Sequence, residues 1–187
     1  MTAVASSTVH ETAAALRRLY FVRFGFAVVW AALLVVTGAE LGPVSVTLLV
    51  LYPLFDVAAA VVDARSSRGA GPVRGLYGNV VISLLAAVGL AIACAAGIPA
   101  VLQVWGAWAI VSGLVQLFVG VSRRKMGGQW PMILSGSISV VAGSSFIVMA
   151  SGPQPSLTSL AGYAAIGGIF FLVSAVRLGR AANRSRE

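Results

Sequence analysis

The chain offers one acidic side chain inside an apolar run, and chemistry would begin there. Asp56 lies in the stretch Val44 to Val62, where it is the only charged residue. At helical rise it sits about seven residues, or roughly 10 Å, from the end of that run where basic residues begin. An ionisable group within a bilayer costs about 2.5–3.5 kcal/mol on insertion scales, so it needs a partner or a task. Arg23 stands about one turn inside the preceding apolar run, at nearly the same depth. Two readings follow. An Arg23–Asp56 ion pair would tie the first two spans together, or Asp56 would be a proton-responsive carboxylate serving a small channel or transporter. Pro53, three residues earlier, removes a backbone donor and should kink or loosen its span.

Other reactive sets do not assemble. Cys94 and His10 are the only cysteine and histidine, too few for a zinc site of the usual kind or a Cys–His nucleophile pair. Cys94, in the middle of an apolar run, reads as a small buried hydrophobe. Gly127-Gly128, after Arg123-Arg124-Lys125, is too short to cradle a nucleotide. The expectation is a non-enzymatic protein without metal or cofactor.

The elements that position Asp56 follow from composition. Of the 187 residues, 59% are hydrophobic and 10% charged, whereas a soluble domain carries about 25% charged residues. The net charge of +8 falls in short clusters between apolar runs. That distribution reads as topogenic signals and not as a nucleic-acid surface. The runs are 19–38, 44–62, 79–96, 99–121, 130–150 and 157–176. Each is close to the roughly twenty residues that cross about 30 Å of hydrocarbon, and none alternates as a barrel strand would. The predicted fold is an all-α integral membrane protein of six transmembrane helices over residues 19–178. Residues 1–18 and 179–187 form its tails. Thr8 and Glu11 have capping-box spacing, so the first tail reads either as a short helix from Val9 or as disorder.

All thirteen basic residues fall on one side of this arrangement, and Glu40 alone falls on the other. Positive charge marks the cytoplasmic face, which places both termini in the cytoplasm. Arg123, Arg124 and Lys125 would then meet anionic lipid headgroups.

The fourth run, Val104 to Arg124, carries Gly106, Gly113 and Gly120 seven apart, with Ser112 and Gln116 nearby. Gly89-Ala93-Gly97 and Ser135-Ser139-Gly143 repeat small residues every four positions. Small residues let backbones approach closely in lipid, so the expectation is packing, with a lined pathway as the other reading. A repeat is also visible. Tyr52 and Asp56, Trp108 and Ser112, and Tyr163 and Gly167 fall into register about 55 residues apart. The chain therefore reads as three helical hairpins in parallel repeat, related by an axis along the membrane normal.

Six spans in three hairpins, the aromatic-rich WGAWAIVSGLVQLFVG, the basic stop SRR and the Trp-opened WPMILSGSISVVAG resemble the HdeD-like family of bacterial acid-resistance membrane proteins. The likeness covers most of residues 19–178 and is clearest from Trp105 to Gly143. It implies a six-helix bacterial inner-membrane protein with a link to acid stress, and little about mechanism. The expected role is in acid or envelope stress through protein or lipid contacts, with a homo-oligomer or a membrane-protein partner. The family supplies no catalytic residues to carry over. The first hairpin departs most, with Pro53 and Asp56 where the other copies have Ala109 and Ser112, or Ala164 and Gly167.

Overall fold

The computed structural model describes residues 2–66, 74–122 and 130–184, and these residues form six α-helices. They are α1 (Thr2–Thr37), α2 (Pro43–Ser66), α3 (Arg74–Ala96), α4 (Ile98–Ser122), α5 (Trp130–Ala150) and α6 (Thr158–Arg184). All six contain a stretch long and apolar enough to cross a membrane. The molecule is a multi-pass membrane protein. α1 begins well before its apolar stretch, which starts at Ala14, so the helix continues through the segment where the sequence left helix and disorder open.

Local chemistry sets the turns. α3 passes into α4 through Gly97 alone, at φ 104°. Its amide donates to the Ala93 carbonyl and its carbonyl accepts from the Val101 amide, so one residue ends one helix and begins the next. Alanine there would be strained by about 1 kcal/mol or more. At the start of α2 the buried Ser45 hydroxyl donates to the carbonyls of Glu40 and Gly42, which closes the turn after α1.

The helices pack as a ring in chain order, with α6 closing onto α1. The most extensive contacts are α4 with α5, α1 with α6 and α2 with α3. The hairpins joined by short turns touch less, and α5 with α6 is the sparsest neighbouring pair. Short connections place α1 beside α2, α3 beside α4 and α5 beside α6, but side-chain size decides how closely they pack. Between α4 and α5 there is almost no side chain to separate the backbones. A Cβ on Gly106 would lie 2.6 Å from the Gly143 carbonyl, and one on Gly113 would lie 2.7 Å from the Gly136 carbonyl.

The apolar core sits towards the short turns, where Trp30, Leu34, Leu49, Leu102, Leu157 and Leu160 are buried together. Val36, Phe118, Val141 and Val148 point outward and are exposed. With lipid as solvent, such an apolar exterior is the expected surface, and the polar groups are the informative ones.

Candidate functional site

Asp56 faces the middle of the bundle. On α2 the exposed positions are Val44, Thr47, Leu51, Leu54, Ala58 and Val62, and at about 100° per residue Asp56 lies opposite them. Its carboxylate is fully engaged. Oδ1 is ion-paired with Arg23 Nη2 of α1. Oδ2 accepts from Asn79 Nδ2 at 2.7 Å and from the Ser83 hydroxyl at 2.8 Å, both on α3. The Arg23 guanidinium also lies over the Phe171 ring of α6, 4.4 Å from its centroid. One carboxylate thus joins α1, α2 and α3 directly, and α6 through Arg23. The two charged side chains are 15% and 16% exposed, enough burial for removal of one charge to leave the other poorly solvated.

Asn79 and Ser83 were not singled out by sequence reasoning. Asn79 stood at the boundary of its run, where a polar residue is ordinary, and Ser83 is a residue that membrane helices tolerate. The available signal was their spacing of four, which puts both on one face of α3.

Pro53 is buried and α2 continues through it. Proline offers no amide to the carbonyl four residues back, at Leu49. Next to that position the Trp30 indole donates to the Leu48 carbonyl at 2.7 Å, a tertiary bond that holds α1 against α2 where the helix ladder is interrupted.

The candidate residues on α4 separate onto two faces. Gly106, Gly113 and Gly120 meet α5, the last with a would-be Cβ 2.8 Å from the Ile133 side chain. Ser112 and Gln116 do not belong to that contact. With Trp105 and Trp108 they form a row at spacings of three and four, opposite the exposed Gln103, Ala107, Val111, Leu114 and Phe118. Their indole nitrogens, the Ser112 hydroxyl and the Gln116 amide oxygen are buried, and none has a hydrogen-bond partner. Buried polar atoms are nearly always satisfied, so four on one helix face form an unusual set.

Rings from three helices surround the upper part of this row. Trp30, Tyr52 and Trp108 each pack against Trp105, with centroids 5.3–5.4 Å away. Tyr52 also meets Trp108 at 6.1 Å. Tyr163 of α6 shares a hydrogen bond with Ser139 of α5 at 2.9 Å. Among the described residues no three His, Cys, Asp or Glu side chains come together. Arg123, Arg124 and Lys125 lie outside the described residues. Comparison of the chain with family models, with curated proteins and with solved structures returned no match.

Proposed function

We propose that this chain is an HdeD-like protein of the bacterial inner membrane that acts without catalysis in acid or envelope stress, through contacts with protein partners or anionic lipid. The observation that carries the non-catalytic, non-conducting reading is the carboxylate of Asp56. Arg23, Asn79 and Ser83 all donate to it. A carboxylate held by three donors from two neighbouring helices is placed to tie a bundle together. A proton carrier needs an oxygen free to exchange.

The parallel three-hairpin repeat is part of the same reading. Extensive contacts (α2 with α3, α4 with α5, α6 with α1) alternate around the ring with lighter ones, the alternation that three copies about one axis would produce. Cytoplasmic termini are favoured by Arg17 and Arg18 on α1, Arg65 on α2, and Arg177 and Arg180 on α6, all near the ends of the apolar stretches remote from Glu40.

A small channel or transporter is the second reading, favoured by the unpartnered polar row on α4. Flux through proteoliposomes holding the purified protein separates the two. The expected result is no proton or small-solute flux under a pH gradient, for the native chain and for Asp56→Asn alike. Proton flux that Asp56→Asn abolishes would establish the channel and remove the structural reading of the carboxylate.

A further inference from the structure

We propose that the centre of the bundle, beside the unpartnered row of α4, is a blind binding site for small neutral solutes that carry both a hydrogen-bond acceptor and a donor, of the size of an amide or a short polyol. Its preference for neutral solutes rests on the Arg23–Asp56 ion pair of the proposed function, whereas the site itself does not.

Two independent observations point there. The first is the set of unpartnered atoms. Trp105 Nε1 and Trp108 Nε1 are donors, the Ser112 hydroxyl is either, and Gln116 Oε1 is an acceptor. Successive members are three or four residues apart, about 4.5–6 Å along the helix, so one small molecule can bridge two of them. The second is unfilled space. A Cβ built on Gly167 would meet no heavy atom within 4 Å. Gly167 lies on the side of α6 opposite its exposed residues Gly162, Ile166, Ile169 and Val173, and so faces the interior. In the sequence register it stands level with Asp56 and Ser112.

The surroundings select the chemistry. Arg23 and Asp56 neutralise each other, which leaves no net charge to attract an ion into a low-dielectric centre. Towards the short turns the interior is closed by Leu49, Leu102, Leu157 and Leu160, each fully buried. A solute would therefore enter and leave by the end that carries the basic residues.

Cysteine access tests this in the full chain. With Cys94→Ala removing the native thiol, Ser112→Cys is compared with Leu102→Cys in the dry layer. The probes are iodoacetamide, itself a small neutral amide, and the charged thiosulfonates bearing ethyltrimethylammonium or ethylsulfonate. All rates are normalised to a free thiol. Ser112→Cys is expected to react with iodoacetamide at least tenfold faster than Leu102→Cys and to discriminate against both charged reagents by a similar margin. Adding Gly167→Leu, which fills the open space, should bring its rate down to that of Leu102→Cys. Equal rates at the two positions, equal access for charged reagents, or no effect of Gly167→Leu would each overturn the proposal. Gln116→Cys, read in the same way, decides the matter if Ser112→Cys does not assemble.

Discussion

The energetics of Asp56 depend on which partner is removed. Arg23→Ala leaves a carboxylate in the bundle with only neutral donors. Breaking a buried pair from one side costs about 3–5 kcal/mol, most of it the charge left behind. Replacing both members by leucine removes that penalty and leaves the Asn79 donor unmatched, at about 1–3 kcal/mol, while the Ser83 hydroxyl can turn back to the carbonyl four residues earlier on its own helix. Arg23→Ala should therefore lower the thermal midpoint in detergent more than Arg23→Leu/Asp56→Leu does, and the cycle of Arg23→Leu, Asp56→Leu and their double variant should give a coupling of at least about 1 kcal/mol. Additive losses would mean that the pair contributes no coupling. Two ionisable residues in adjacent apolar runs at one depth could be read from the chain, because charge in hydrocarbon is rare. Their neutral partners could not be read, because Asn and Ser carry no such penalty and only the rotation of α3 about its axis brings them to Asp56. The unpartnered state of the α4 row was equally hidden. Ser112 and Gln116 were visible as polar residues, but the absence of a donor or acceptor opposite them is a property of five other helices.

At the scale of elements, glycines divide by what stands opposite them. On Gly113 a Cβ would meet the Gly136 carbonyl at 2.7 Å and Ser139 at 2.9 Å, and a backbone carbonyl cannot step aside as a side-chain tip can. Gly162 on α6 and Gly25 on α1 would meet nothing within 4 Å. Gly113→Ala should then force α4 and α5 apart and cost about 1–3 kcal/mol, as overpacking does. Gly25→Ala and Gly162→Ala should be neutral, or stabilising by up to about 1 kcal/mol through helix propensity. Thermal melts of the three variants check this, and an equal response at all three positions would mean that close approach does not hold the α4–α5 pair. The six helices were legible from run length alone, since crossing lipid demands about twenty apolar residues whatever the neighbours. Which helices pack most closely was not. Turn length suggested the hairpins, whereas backbone approach is set by small residues matched on two separate helices, a condition that no single run displays.

At the scale of the whole molecule, the first and last helices close the ring. Gly168 stands against Ala27, where a Cβ would lie 3.2 Å from the alanine methyl. Tyr20 stacks on Phe171 at 6.0 Å, and the Arg17 guanidinium lies over the backbone of Gly179. These contacts run in opposite chain directions, so α1 and α6 are antiparallel neighbours although they are the elements furthest apart in sequence. Long-range closure of this kind makes the ring insensitive to where the chain is cut, provided every helix keeps its direction through the bilayer. A circular permutant that joins the two tails by a flexible linker and opens between residues 67 and 73 preserves every direction and every basic cluster on its own side. With cytoplasmic termini as proposed, a permutant opened at Gly97 starts on the opposite side and must translocate its new N-terminus. The first should insert, melt within a few degrees of the native chain, and label from outside the cell at a cysteine placed at position 40 but not at one placed at 125. The second should insert poorly, because the basic clusters at residues 65–74 and 123–125 then follow spans that enter in the wrong sense. Equal insertion of both permutants would show that charge placement does not set orientation here. Failure of the first alone would show that closure of α6 on α1 depends on synthesis in the native order.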